Sequence, residues 1–182
     1  PAGSALLFDP MSEKRGYTDA RPYLDSCEVR IRLLPGESLF VFMEPGRAGK
    51  EEWAYMVDGP AIKIGENGWK VEFLTGGQDL PEPLFLDAAG PWTGHGETYD
   101  SYSGTARYYT GFTMDKPGAD GYVLEIEDIL ESARVYLNGE FAGVVIAHPF
   151  RLDVTDQIRE GENRLEIEVT NLSANRLRFT LR

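Results

Sequence analysis

The sequence predicts an all-β protein built as an antiparallel sandwich. Apolar and polar residues alternate with a period of two in segments along the chain, which is the pattern of half-buried strands. The dipeptides Asn67-Gly68 and Asn138-Gly139 follow or separate such segments, and both residue types tolerate the positive φ of tight hairpin turns. No long stretch shows the 3.6-residue period of a helix.

The first 50 residues predict a small β-rich segment, the end of a preceding β domain. Ala5–Phe8 has the character of a strand already under way. In Glu28–Leu33 alternate residues share one face, which predicts a half-buried strand. Pro35-Gly36 predicts a turn, and the more apolar Leu39–Met43 predicts the returning strand of a hairpin.

A domain boundary is predicted near residue 50. Residues 44–52 contain no apolar side chain larger than alanine, so this segment can bury little and is expected at the surface. The sequence therefore divides into residues 1–50 and a β-sandwich of residues 51–182.

The second part predicts strands at regular intervals. In the last of them, Leu165, Ile167 and Val169 face the core, whereas Glu166 and Glu168 face water. Asn138-Gly139 predicts a two-residue hairpin, with Asn138 serving as a turn residue. The predicted strands are Ala61–Ile64, Trp69–Phe73, Leu84–Leu86, Ala106–Thr113, Tyr122–Ile126, Arg134–Leu137, Glu140–Gly143, Phe150–Thr155 and Arg164–Val169.

Charge and composition exclude several partners. Thirty acidic and 18 basic residues give a net charge of -12, which would repel nucleic-acid phosphates over most of the surface. No segment approaches 18 apolar residues, so membrane insertion is not expected. The single Cys27 cannot form an internal disulfide, and the amino terminus lacks the pattern of a signal peptide.

Seven motifs in order suggest a family. They are W-K-V-E-F, Y-S-G-T-A-R-Y, V-Y-L-N-G, F-A-G, P-F-R-L-D-V-T, G-E-N-R-L-E-I-E-V-T-N and A-N-R-L. With these motifs, the segment from Trp69 to Leu177 resembles the galactose-binding-like, sugar-binding jelly roll attached to family 2 and α-L-rhamnosidase-like glycoside hydrolases. Residues 1–50 resemble the β-rich segment that precedes this jelly roll in the carboxy-terminal regions of α-L-rhamnosidase-like enzymes.

This resemblance implies a non-catalytic accessory domain that binds or orients polysaccharide for a larger, secreted or periplasmic glycoside hydrolase. The expected partners are a carbohydrate chain and the catalytic domain of the parent chain. No cofactor is required, although similar jelly rolls can carry a structural calcium ion held by carboxylates and carbonyls. The alternatives are a purely structural domain that braces the catalytic unit and an independent hydrolase.

The sequence offers no catalytic pair. A glycosidase needs two carboxyl groups on opposite sides of the scissile bond. The pairs Glu125 and Glu127, and Glu166 and Glu168, occupy the polar positions of alternating strands, where a solvated surface is expected. Two histidines and one cysteine provide no tetrahedral zinc site.

The preferred sugar-contact region is the irregular segment from Pro91 to Tyr102. Sugar recognition needs an aromatic plane with polar groups around it, and this segment brings together several such side chains. Trp92 and Tyr102 have a second interpretation, in which they plug the open end of the sandwich. His148 either joins the same pocket or bonds to a loop carbonyl. The predicted sugar-contact residues are Trp92, His95, Tyr99, Tyr102, His148 and Arg176.

Overall fold

The computed structural model describes residues 3–45, 51–57, 59–76, 79–115, 118–129 and 132–171. These residues form an all-β protein whose sheets are antiparallel, as the sequence predicts. The chain divides into two compact units, Pro1–Gly59 and Pro60–Arg182. Within the described part of the chain, no helix is long and apolar enough to cross a membrane.

Unit 1 contains a four-stranded sheet with the order β3-β2-β1-β4. The central strand β1 buries Ala5 and Leu7, and β2 buries Ala20 beside it. Its strands are β1 (Gly3–Phe8), β2 (Arg15–Tyr23), β3 (Ser26–Val29) and β4 (Phe40–Glu44).

The hairpin predicted between residues 28–33 and 39–43 is wrong. β3 ends at Val29 and pairs with β2, whereas β4 pairs with β1. Ile31 and Leu33 are exposed. The chain leaves the sheet after Val29, and the Arg30 carbonyl accepts a hydrogen bond from the Tyr55 hydroxyl at 2.6 Å. The turn itself is present, since the Glu37 amide donates to the Leu34 carbonyl at 3.0 Å.

The division of the chain into two units falls between residues 59 and 60, whereas the sequence suggests residues 50 and 51. The physical reason is a short backbone ladder between Tyr17 and the segment after residue 50. The Tyr17 amide donates to the Glu51 carbonyl at 2.8 Å, and the Trp53 amide donates to the Tyr17 carbonyl at 2.9 Å. Polar composition therefore did not prevent this segment from joining unit 1.

Unit 2 is a sandwich of unequal layers. One layer is a six-stranded sheet with the order β10-β9-β12-β7-β5-β6, and a two-stranded sheet pairs β11 with β8. The elements are β5 (Trp69–Thr75), β6 (Leu84–Leu86), α1 (Glu97–Asp100), β7 (Thr105–Met114), β8 (Val123–Ile126), β9 (Ser132–Leu137), β10 (Glu140–Val145), β11 (Phe150–Asp153) and β12 (Gly161–Thr170).

The core lies against the inner face of the six-stranded sheet. Val71, Val135 and Leu165 on that face are fully buried, which is the expected result of period-two alternation with one covered face. Phe150 of β11 and Leu124 of β8 pack against the same cluster. Of the strands predicted in this unit, only Ala61–Ile64 is wrong among the described residues, because it has no strand structure.

Asn138 holds the β9–β10 hairpin in place, which confirms its predicted turn role. Its φ is 56°, and its side-chain amide makes three hydrogen bonds to two other segments. Nδ2 donates to the Gln157 carbonyl and to Asn163 Oδ1, each at 2.8 Å. Oδ1 accepts from the Arg164 amide at 2.9 Å.

Replacing Asn138 with alanine is expected to destabilise unit 2 by about 2 to 3 kcal/mol, because three hydrogen bonds of roughly 1 kcal/mol each are lost. Urea unfolding followed by tryptophan fluorescence measures this change. Glu140→Ala is the control, since its ion pair with Arg159 is exposed and contributes less than about 1 kcal/mol. Equal stability of the two variants would contradict the bridging role.

Candidate functional site

Trp92 and Tyr102, predicted as an exposed sugar platform, lie in the core. Trp92 is 6% exposed and Tyr102 is 5% exposed. Both rings pack edge-on against Phe73 of β5, with centroid distances of 6.1 Å and 4.7 Å. Neither ring presents an open face to solvent, so the expected exposed platform is not formed by these two rings, which belong to the core cluster.

Hydrogen bonds fix this aromatic cluster on the inner face. The Tyr102 hydroxyl donates to the carbonyls of Thr75 at 2.5 Å and Thr105 at 2.8 Å. The Tyr108 hydroxyl donates to the Gly90 carbonyl at 3.0 Å. Burial raises the pKa of Tyr108 to about 12 and also raises the pKa of Tyr102, so both rings stay neutral and donate.

The other predicted sugar-contact residues lie in different surroundings. Tyr99 is half-buried, with its ring 5.6 Å from the Phe73 ring. His95 is exposed on the loop before α1. His148 is also exposed, and its ring lies 4.1 Å from the ring of Phe150. Arg176 lies outside the described residues. Among the ring contacts of the described residues, none joins His95 or His148 to the Phe73 cluster.

The outer face of the six-stranded sheet carries a continuous row of side chains, one from each strand. The register pairs each member directly with the next, so all of them point to one face. We call this the cross-strand row: Phe141, Tyr136, Glu166, Tyr109, Lys70 and Phe85. Phe141 and Phe85 at its two ends are 55% and 73% exposed, whereas Tyr136 and Tyr109 are half-buried.

A second row beside it alternates in charge. Its order is Arg134, Glu168, Arg107 and Glu72. Arg107 bonds to Glu168 through Nε at 2.9 Å and reaches Glu166 through Nη1 at 3.3 Å. Lys70 Nζ lies 2.5 Å from Glu72 Oε1, and this hydrogen bond lowers the pKa of the Glu72 carboxyl.

The predicted solvation of Glu166 and Glu168 is wrong. Glu166 is only 7% exposed. It forms an ion pair with Arg164 at 3.0 Å and accepts a hydrogen bond from Arg107 Nη1 at 3.3 Å. The Arg107 guanidinium lies 5.9 Å from the Tyr109 ring centre and 5.7 Å from that of Tyr136. Because these charges hold one another, the middle of the cross-strand row is fixed before any ligand arrives.

One end of the row opens into a hollow of about 810 Å³, which we call the outer hollow. Phe85, whose ring is exposed, lines this hollow together with charged and phenolic side chains. Its polar and aromatic lining on this face is formed by Lys70, Phe85, Asp87, Tyr109, Glu162 and Arg164. This arrangement combines an open aromatic face with donors and acceptors for hydroxyl groups. No pattern in the sequence predicted this hollow.

Clustered metal-ligating side chains are absent among the described residues. No three or more His, Cys, Asp or Glu side chains among them lie together closely enough to hold an ion. Calcium also takes backbone carbonyl oxygens as ligands, so the structural calcium that the resemblance implies stays a prediction.

The fold and the outer hollow define a β-sandwich protein with an open aromatic surface. No protein-family model matches the chain. It is 31% identical over 163 residues to the protein named "Putative beta-glucuronidase" from Formosa agariphila, covering 84% of this chain and 14% of that protein. It is 30% identical over 98 residues to a beta-galactosidase of Clostridium acetobutylicum, covering 50% of this chain and 11% of the galactosidase. The chain thus spans a small part of the relatives it matches.

Solved structures agree on the fold. A rhamnosidase from Novosphingobium sp. PP1Y aligns with 95% of this chain at a TM-score of 0.77 and 24% identity, using 17% of its own length. A β-glucuronidase from Ruminococcus gnavus aligns with 65% of this chain at a TM-score of 0.52 and 17% identity, using 23% of its own length. The chain is therefore similar to segments of glycoside hydrolases.

Replacing Trp92 with alanine is expected to lower the free energy of unfolding by about 3 to 5 kcal/mol, because a large buried ring leaves a cavity. His95→Ala, on the same loop but exposed, should change it by less than about 0.5 kcal/mol. Urea denaturation of both variants provides the comparison. If the Trp92→Ala variant is as stable as the wild type, Trp92 is not a buried core residue, and the interpretation of its ring as an exposed platform is supported instead.

Proposed function

We propose that this chain is a non-catalytic accessory region of a larger glycoside hydrolase, and that it binds or orients a saccharide chain of the polysaccharide substrate. The observation that carries the proposal is the similarity to the Formosa agariphila relative, which extends over 84% of this chain but only 14% of that protein. A secreted or periplasmic parent chain, with the catalytic domain as partner, belongs to the same proposal.

The outer hollow supports the binding role. A pyranose has an apolar face that can lie on an aromatic ring and hydroxyl groups around its edge. Phe85 offers the ring, and Lys70 and Arg164 offer donors beside it. Asp87 and Glu162 offer acceptors in the same hollow. Because the outer hollow is open and holds both donors and acceptors, it favours reversible binding over enclosure of a small ligand.

The carboxyl groups support a non-catalytic role. Glycoside hydrolysis needs one carboxyl whose surroundings keep it protonated and another that stays ionised. Asp87 and Glu162 in the outer hollow are both exposed, so neither has the apolar surroundings typical of a catalytic acid. Glu166 is buried, but two arginines hold it as an ion-paired carboxylate.

A bracing role is the second candidate, and a different surface favours it. On β4 of unit 1, Phe40 and Phe42 are exposed, and the Phe40 ring stacks between those of Phe8 and Phe42 at 6.1 Å and 6.3 Å. Exposed apolar rings of this kind commonly mark a protein contact. This role would use unit 1 and need no sugar.

Replacing Phe85 with alanine is expected to weaken saccharide binding by roughly tenfold, the effect of losing about 1.4 kcal/mol of contact with one ring. The measurement is calorimetric titration of the full chain with hexasaccharides of β-1,4-linked glucose, xylose, mannose and galactose. Unfolding should be unaffected, because Phe85 is mostly exposed.

Phe40→Ala is the matched control, an exposed phenylalanine on the other unit that should leave saccharide affinity unchanged. Failure of every hexasaccharide to bind the wild type would reject the binding role and leave bracing. Release of new reducing ends from any of them by the wild type would reject the non-catalytic role.

A further inference from the structure

We propose that the ligand is the interior of an extended, uncharged glycan that lies across the strands, from the outer hollow at Phe85 to Phe141. This inference rests on the proposed function and adds the direction, the length and the charge of the ligand. It distinguishes chain binding from capture of a terminal sugar in a closed pocket.

The geometry of the cross-strand row gives the direction. Its six members come from six adjacent strands in direct register. Five strand spacings of about 4.8 Å make the row roughly 24 Å long, which accommodates several linked pyranose rings. The most exposed rings, Phe85 and Phe141, stand at opposite ends, so one ligand must be extended to reach both.

The middle of the row suits hydroxyl groups better than a second set of rings. Tyr109 is covered by the guanidinium of Arg164, at 5.0 Å from its ring centre, and by that of Arg107. Arg107 also approaches Tyr136. These groups present donors and acceptors between the two end rings, where the hydroxyl edge of a glycan would lie.

The charges along the two rows favour an uncharged ligand. Four basic side chains (Lys70, Arg107, Arg134 and Arg164) stand among five acidic ones (Glu72, Asp87, Glu162, Glu166 and Glu168) of the rows and the outer hollow. The basic groups of the rows are mostly paired within them. A polyanionic glycan would meet no excess of positive charge here and would face a chain of net charge -12.

A ligand that contacts the whole cross-strand row should bind with an affinity that depends on its chain length. Calorimetric titration with the di-, tetra- and hexasaccharides of whichever neutral series binds should show affinity rising with length. Phe141→Ala should weaken the hexasaccharide roughly tenfold and leave the disaccharide unchanged, whereas Phe85→Ala should weaken both. Phe40→Ala, with nearly the same exposure as Phe141, should match the wild type throughout. A hexamer of galacturonic acid should bind more weakly than the neutral hexamer.

The extended, uncharged ligand and the binding role itself are contradicted by different results. If saccharides bind but Phe141→Ala has no effect on the hexasaccharide, or the galacturonate hexamer binds more tightly, the extended uncharged ligand is overturned while the binding role stands. If Phe40→Ala weakens binding and Phe85→Ala does not, the row is overturned in favour of unit 1. If no oligosaccharide of any length binds, the proposed function itself fails.

Discussion

The two layers of unit 2 differ in size, with six strands in one sheet and two in the other. This difference determines how the rest of the unit packs. A two-stranded sheet cannot cover the inner face of a six-stranded one, and the uncovered apolar side chains would cost about 25 cal/mol for each Å² left in water. The irregular segment that carries Trp92 and Tyr102 supplies the missing cover, with both rings against Phe73. The rings of Trp92 and Tyr102, buried in this way, have no open face left for a ligand.

The outer face of the same sheet meets the opposite constraint. It has no apolar layer to bury, so its long side chains pair with one another across the strands. Burying a carboxylate as deeply as Glu166 costs free energy unless charged donors surround it, and Arg107 and Arg164 satisfy that need. The resulting network keeps Tyr109 and Tyr136 in fixed positions and leaves the end rings free.

Local chemistry explains how much could be predicted from the sequence. The β9–β10 hairpin and the strands of unit 2 depend on Asn138-Gly139 and on period-two alternation, which are readable over a few residues. Strand partners in unit 1 and the burial of Trp92 depend on distant segments. The cross-strand row depends on the register of six strands, and no single segment such as Leu84–Leu86 reveals that Phe85 stands at its end.

Unit 2 uses Trp92 and Tyr102 of the irregular segment for its core, and we propose that its outer sheet face binds saccharide. Amide chemical shifts of the full chain, followed by NMR during titration with a neutral hexasaccharide, test it most directly. We expect chemical-shift changes that begin at Phe85 and Lys70 and continue along the cross-strand row to Phe141. The amides of His95 and His148 should not change. Changes confined to the segment around His95 and His148 would contradict the proposal.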